Sequence, residues 1–78
     1  MPLDSTKFKS LNEVKVYTHI SENLNEDKLW VATHIEYLEI DTKYLIKKST
    51  SLRCINNMIE SGLLVKIAKG VYKLYENV

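Results

Sequence analysis

The amino-acid sequence predicts a small α+β domain, and three observations lead to that prediction. Apolar residues recur at spacings of three and four over residues 50–61, which is the period of a helix that buries one stripe. Two segments with a period of two flank Lys69 and Gly70, as in strands joined by a tight turn. Ser10 and Thr33 are each followed three positions later by a glutamate, a pattern typical of helix starts.

Length and composition limit the chain to one soluble domain. It has 78 residues, of which 45% are hydrophobic and 27% charged, as in ordinary globular proteins. It has neither the run of about 18 apolar residues that crosses a bilayer nor the apolar core of a signal peptide. We therefore expect a cytoplasmic protein with no membrane partner. Residues 1–9 are predicted to be a flexible N-terminus, and residues 10–76 a single domain.

The first helix is predicted over residues 11–24, because Ser10 and Glu13 can cap its start reciprocally. Its apolar residues at helical spacings are Leu11, Val14, Tyr17, Ile20 and Leu24, and Val16 widens the stripe. Exposed apolar surface usually marks an interface, so this wide face predicts a homodimer that pairs through the first helix. The alternative is that the N-terminus folds back over this face through Leu3 and Phe8.

A short strand and a second helix follow a turn at residues 25–28. Residues 29–32 are apolar and are expected to add a third strand to the hairpin. Thr33 and Glu36 repeat the capping pattern and start a second helix. Its inward residues are predicted to be Ile35, Leu38 and Tyr37, and its end lies near Asp41.

Two interpretations are open for the start of the third helix. It begins either near Thr42 or near Lys47, with residues 43–46 then forming the turn. We favour the second, because Ile46 can supply the inward apolar residue of such a turn. The inward residues of this helix are predicted to be Leu52, Ile55, Met58 and Ile59. Gly62 ends the helix, since glycine adopts the left-handed conformation without a steric penalty.

The order of helix and hairpin resembles a known family. A helix that ends in E-S-G-L-L, followed by the basic hairpin V-K-I-A-K-G-V-Y-K-L, resembles the recognition helix and wing of winged helix-turn-helix proteins. Small stand-alone regulators of archaeal viruses and plasmids are of this kind. The resemblance covers residues 10–75 and implies the order helix-strand-helix-helix-strand-strand. It also implies a recognition helix in the DNA major groove and a wing on the backbone or minor groove.

Charge is divided unequally along the chain. Residues 1–42 contain four lysines and eight acids, a net charge of −4, whereas residues 43–75 contain six lysines and Arg53 against Glu60, a net charge of +6. The whole chain has a net charge of only +1. Segregation of this size predicts a positive face, which is the electrostatic footprint of a phosphate-binding surface.

The predicted recognition helix carries polar candidates for DNA contact. Those that can reach phosphate oxygens are Lys47, Lys48, Ser49, Thr50 and Ser51. Arg53 can bind guanine through its planar fork, and Asn57 can bind adenine through its amide; Asn56 lies nearer the predicted core. The alternatives are a solvated helix end for the first group, an ion pair for Arg53 and a solvent-facing amide for Asn57.

The predicted wing carries Lys66, Lys69 and Lys73, with Lys69 at its tip. We expect these lysines to contact the DNA backbone. The alternative is a charged edge that prevents strands of other molecules from pairing with the sheet.

Enzymatic function is not expected. The sequence shows no nucleophile with a base, no glycine-rich phosphate loop and no cofactor or small-molecule site. His19 and His34 lie on different elements without metal-ligand companions, and the single Cys54 has neither a disulfide nor a zinc partner. We therefore expect a non-enzymatic transcription regulator that binds double-stranded DNA. The alternative is a winged-helix interaction module that docks onto an acidic protein partner.

Overall fold

Three helices and three strands build the domain, in the order that the sequence predicts. The computed structural model describes residues 8–75. The elements are α1 (Leu11–Glu22), β1 (Leu29–Val31), α2 (His34–Tyr44), α3 (Lys48–Glu60), β2 (Leu64–Ala68) and β3 (Val71–Leu74). The strands form an antiparallel sheet in the order β1-β3-β2, so the strand between α1 and α2 does join the hairpin. This small α+β arrangement is compatible with a winged-helix layout.

The predicted helix starts are confirmed at both capping patterns. Ser10 Oγ accepts a hydrogen bond from the Glu13 amide, and Thr33 Oγ1 accepts one from the Glu36 amide, each at 3.4 Å. The return bonds differ from the prediction. The Glu13 carboxylate accepts from the Lys9 amide at 2.9 Å rather than from Ser10, and the Glu36 carboxylate turns into the protein. The spacing of the capping pattern does not reveal these other partners of the two carboxylates, the Lys9 amide and the Trp30 indole.

The C-terminal ends of α1 and α2 lie at different residues from those predicted. α1 stops at Glu22, two residues early, whereas α2 continues past Asp41 to Tyr44. Leu45 then ends α2 in the left-handed conformation (φ 60°), a position where glycine is the usual residue. Its side chain is 85% exposed. Gly62 and Gly70 also have positive φ, as expected after α3 and in the hairpin turn.

The second interpretation of the third helix is confirmed. α3 begins at Lys48 with Lys47 as its N-cap residue, and Ile46 in the preceding turn is buried. The turn between α2 and α3 is therefore residues 45–47. Since Ile46 fills the core at this point, it fixes the position of α3 against α2.

The core contains side chains from every element. Trp30 lies at its centre, with its ring 6.2 Å from that of Tyr37 and 5.9 Å from that of Tyr72 between centroids. The buried apolar residues are Val16, Tyr17, Ile20, Trp30, Tyr37, Ile40, Ile46, Cys54, Ile55, Met58, Leu63, Leu64, Tyr72 and Leu74.

The predicted inward face of α2 is wrong at Ile35 and Leu38 and confirmed at Tyr37. Ile35 and Leu38 are 63% and 50% exposed, whereas Tyr37 and Ile40 are buried. A helix of this length buries one stripe, and residues spaced by three or four share it. Tyr37 and Ile40 form that stripe because Tyr37 packs against Trp30, and Ile35 and Leu38 then point away from the core. Leu52 of α3 was also predicted to be inward and is 37% exposed.

The face of α1 is also used differently from the prediction. Val16, Tyr17 and Ile20 are buried within the single chain, and Leu11 and Val14 are exposed. The width that suggested a dimer interface is therefore explained largely by the core of the chain itself. Phe8 packs edge-on against Tyr17 at 5.4 Å between ring centroids. The first seven residues of the predicted flexible N-terminus lie outside the described residues.

Candidate nucleic-acid interface

The N-terminus of α3 differs from those of α1 and α2. Both earlier helices have a hydroxyl side chain that accepts a backbone amide and a glutamate in the first turn. The N-cap residue of α3, Lys47, makes no side-chain cap, and α3 has no acid in its first turn. The first amides of a helix lack partners within the helix and carry partial positive charge. This end of α3 is therefore suited to an anion such as a phosphate.

Three of the predicted phosphate contacts surround this end of α3. Lys47, Lys48 and Ser49 are exposed, and Thr50 is half-buried. The Lys48 ammonium lies over the Tyr37 ring, 5.3 Å from its centroid. Such a cation–π contact orients the lysine side chain while its charge stays at the surface.

Two of the predicted DNA contacts are not fully exposed in this structure. Ser51 is fully buried, and its hydroxyl has no hydrogen-bond partner among residues 8–75. Asn57 is half-buried, and its Nδ2 donates to Glu13 Oε2 at 3.3 Å. Asn57 thus connects α3 to α1, where it satisfies a buried carboxylate, and its amide is not presented to a ligand.

The exposed face of α3 carries a different set of side chains. Ser49, Leu52, Arg53 and Asn56 are all exposed and recur at spacings of three and four. Arg53 is therefore outward, as predicted, and Asn56 takes the place that was assigned to Asn57.

The spacing between Arg53 and Asn56 indicated that Asn56 is outward, but the predicted buried stripe placed it nearer the core. Asn56 lies three positions after Arg53, and that spacing places both on one face. The buried stripe was assumed to contain Leu52, whereas the helix buries Ser51, Cys54, Ile55 and Met58. Because Ser51 is buried and Leu52 is exposed, the buried stripe lies on a different side of α3 from the predicted one.

Cys54 belongs to the core side of α3. Burial raises the pKa of its thiol, and the nearby Glu13 carboxylate raises that pKa further, while Arg53 partly opposes both. A buried thiol with a raised pKa is a poor nucleophile. This agrees with a structural role.

The end of the β2–β3 hairpin extends beyond the core. Lys66, Ile67, Ala68 and Lys69 are all exposed, although successive strand residues normally alternate between a buried and an open face. A bulge between Lys66 and Ala68 shifts the register here. Lys66 and Lys69 therefore lie on a projecting wing.

Lys73 is positioned differently from the other two hairpin lysines. It is half-buried and pairs with Leu29 of β1 and Val65 of β2, so it lies on the body of the sheet. A contact by Lys73 would require the DNA to reach the base of the hairpin.

Comparison with protein families, with curated proteins and with solved structures finds no match for this chain. Its function must therefore be argued from its own residues. Within residues 8–75, every helix is too short or too polar to cross a membrane.

The expectation that His19 has no metal-ligand companions is wrong. Ligand atoms of His19, Glu36 and Glu39 all lie within 4.8 Å of one another. Spacing along the chain could not predict this grouping, because α1 supplies the histidine and α2 the two glutamates. His34 lies exposed at the start of α2, outside this group.

Proposed function

We propose that this chain binds double-stranded DNA and regulates transcription. In this proposal α3 enters the major groove and the β2–β3 hairpin contacts the adjacent backbone or minor groove. The observation that carries it is the start of α3, where lysines replace the capping hydroxyl and the acid found at the other two helices. Lysines at a helix N-terminus oppose the helix dipole and are poorly explained by stability alone.

The charge of this region supports a polyanionic ligand. Its exposed cations are Lys43, Lys47, Lys48, Arg53, Lys66 and Lys69. Glu60 is the one acid among residues 43–75, and it lies at the far end of α3. A phosphate backbone that approaches the first turns of α3 would therefore meet no carboxylate of that helix.

The exposed face of α3 supports direct reading of bases. Arg53 can donate two hydrogen bonds to guanine O6 and N7, and the Asn56 amide can pair with adenine N6 and N7. Leu52 lies beside them and can contact the methyl group of thymine. Lys47, Lys48 and Ser49 would hold phosphates, which position the protein without specifying sequence.

The wing would add backbone contacts at a second place. Lys66 and Lys69 carry charge beyond the core, and Gly70 permits the tight turn between them and β3. The resemblance to winged helix-turn-helix regulators supports this use of the hairpin. A role at promoters also rests on that resemblance.

The proposal includes a homodimer, whose interface is smaller than the whole apolar face of α1. Leu11 and Val14 are exposed apolar residues on this helix. A two-fold axis there would repeat the same contact in each subunit and present two α3 helices to half-sites about 34 Å apart. Sedimentation equilibrium of the wild type and of Leu11→Glu with Val14→Glu tests it, because these changes leave the core intact. A wild-type monomer on an asymmetric site contradicts it.

A salt titration tests DNA binding itself. If four to six phosphates are neutralised, the slope of log K against log salt is expected to be about −3.6 to −5.4. Changing Lys47, Lys48 and Lys69 to glutamine should flatten this slope by about 2.7 if each contacts one phosphate. The matched control changes Lys9, Lys15 and Lys28 to glutamine, which alters net charge equally in the acidic half.

The outcomes separate the two candidate functions. A steep slope that the control retains and the test variant loses supports DNA binding by α3 and the wing. A slope near zero contradicts DNA binding and favours the interaction module. Equal losses in both variants would show an effect of net charge alone.

A further inference from the structure

A second polar cluster lies in a groove between α1 and α2. The groove has a volume of about 470 Å³ and is lined by His19 of α1, by Asn23 just after α1, and by Ile35, Leu38, Glu39, Thr42 and Lys43 of α2. Apart from Lys43, whose charge also adds to the basic region, it uses none of the residues assigned to DNA. Its chemistry is therefore a separate question from the proposed function.

Three side chains in this cluster carry atoms that commonly bind metal ions. The His19 imidazole is only 3% exposed, and its Nε2 lies 2.9 Å from Glu36 Oε1. Glu39 is exposed and lies three positions, or about one helical turn, after Glu36. The ligand atoms of all three residues lie within 4.8 Å of one another. A buried histidine and two carboxylates thus converge from two helices.

Neighbouring groups hold these side chains in place. The Trp30 indole Nε1 donates to Glu36 Oε1 at 2.7 Å. The Asn23 amide donates to the His19 carbonyl oxygen at 2.7 Å and lies 3.5 Å from His19 Nδ1. Metal-binding histidines and carboxylates typically have such outer partners, which fix their orientation.

We propose that His19, Glu36 and Glu39 bind a divalent transition-metal ion of the zinc class. Imidazole nitrogen together with carboxylate oxygen suits this class of ion. Magnesium and calcium bind through oxygen atoms and do not need a histidine. Ligand atoms about 2.0–2.2 Å from a tetrahedral zinc are about 3.4 Å apart. The ligand atoms, which lie up to 4.8 Å apart, must therefore approach one another, and the exposed Glu39 side chain can move to do so. Solvent or the Thr42 hydroxyl takes the open position.

The hydrogen bonds of His19 must change when the ion binds. Nε2 must offer its lone pair to the ion, so the neutral ring carries its proton on Nδ1 and Nε2 gives up any hydrogen bond to Glu36 Oε1. Lys43 also lines the groove, but its ammonium is exposed and lies 3.7 Å from Glu22 Oε1. The bound ion would offset the repulsion between Glu36 and Glu39 and join α1 to α2.

Trp30 provides a direct measurement of this binding. It is the only tryptophan in the chain, and its indole bonds to one of the proposed ligands. Metal-free protein is titrated with Co²⁺, whose bound form quenches tryptophan fluorescence and shows visible absorption bands, and then with Zn²⁺ in competition. We expect saturable quenching at a ratio of one ion per chain, visible bands that Zn²⁺ removes, and a Zn²⁺-dependent rise in the unfolding temperature.

The variants assign the ligands. Glu39→Gln keeps the size of an exposed side chain and is expected to weaken binding at least tenfold without loss of folding. His19→Gln should abolish the visible bands, and circular dichroism checks that it folds. Glu60→Gln and His34→Gln are the matched controls and should bind like the wild type. Absence of saturable binding by the wild type, unchanged binding by Glu39→Gln, or loss of binding in His34→Gln would each overturn the proposal. DNA affinity does not enter these readouts, so failure of one proposal leaves the other testable.

Discussion

The two halves of this domain use similar polar residues for opposite purposes. In the acidic half, the hydroxyls of Ser10 and Thr33 cap helices and the Glu36 carboxylate accepts from Trp30. In the basic half, α3 starts without a side-chain cap and the hairpin presents lysines beyond the core. The first half thus satisfies these polar groups within the chain, whereas the start of α3 and the tip of the hairpin expose theirs to solvent.

The start of α3 has a cost in stability. Hydroxyl and amide caps stabilise a helix by about 0.5–2 kcal/mol, and a cation near the N-terminus is unfavourable by about 0.3–1 kcal/mol. The first half contains both helices that have side-chain caps. Mutations in the two halves should therefore separate stability from DNA binding.

The largest expected effect is on stability and comes from the acidic half. Ile20 is fully buried, so Ile20→Ala should lower the free energy of unfolding by about 2–5 kcal/mol. Ile35→Ala removes an exposed side chain and should change it by no more than about 0.5 kcal/mol. Urea denaturation of both variants measures the difference. A large loss in Ile35→Ala would contradict the orientation of α2.

The next effect distinguishes the two adjacent asparagines of α3. Asn57→Ala removes a donor from the buried Glu13 carboxylate and should destabilise the fold by about 1–3 kcal/mol. Asn56→Ala should leave stability nearly unchanged and weaken binding to the preferred DNA. Denaturation and DNA titration are measured on both proteins. The reverse pattern would restore the original assignment of Asn57 as the base contact.

Arg53→Ala tests whether the outward face of α3 reads sequence. It should cost about 1–3 kcal/mol of discrimination at one base pair, with little change in folding. Binding to the preferred site and to random duplex is compared at one salt concentration. Equal losses on both duplexes would demote Arg53 to a backbone contact.

The sequence predicted the elements of this fold better than their orientations. The capping patterns located α1 and α2, and Gly70 located the hairpin turn, because these signals are local and have few alternatives. Which stripe a helix buries depends on its neighbours. Trp30 draws Tyr37 inward and leaves Ile35 outside, which periodicity within α2 cannot reveal.

The candidate sites show the same difference between what local signals predict and what depends on the orientation of a helix. Arg53 and the lysines at the start of α3 were found from charge and position in the sequence, and their exposure agrees with that assignment. Ser51 and Asn57 lie nearer the core than predicted, because their exposure depends on the rotation of α3. The cluster of His19 with Glu36 and Glu39 joins residues separated by β1, and no spacing rule predicts it.

The smallest expected effect comes from giving α3 a side-chain cap, which the helices of the acidic half already have, by changing Lys47 alone. Lys47→Ser gives α3 the type of cap that α1 already has, so the free energy of unfolding should rise by about 0.5–1 kcal/mol. Lys47→Asp supplies a cap and also a charge that favours the helix dipole, so it should stabilise at least as much. Both variants should bind DNA more weakly, Lys47→Asp more so because its carboxylate repels phosphate.

Lys47→Ala is the control, since it removes the cation without adding a cap. Thermal unfolding and salt-dependent DNA titration of the three variants give two orders to compare. If Lys47 is kept for binding at the expense of stability, Lys47→Asp is the most stable and the weakest binder of the three. If Lys47→Asp binds DNA as well as the wild type, the start of α3 does not contact phosphate, because a carboxylate cannot replace an ammonium there without loss of affinity.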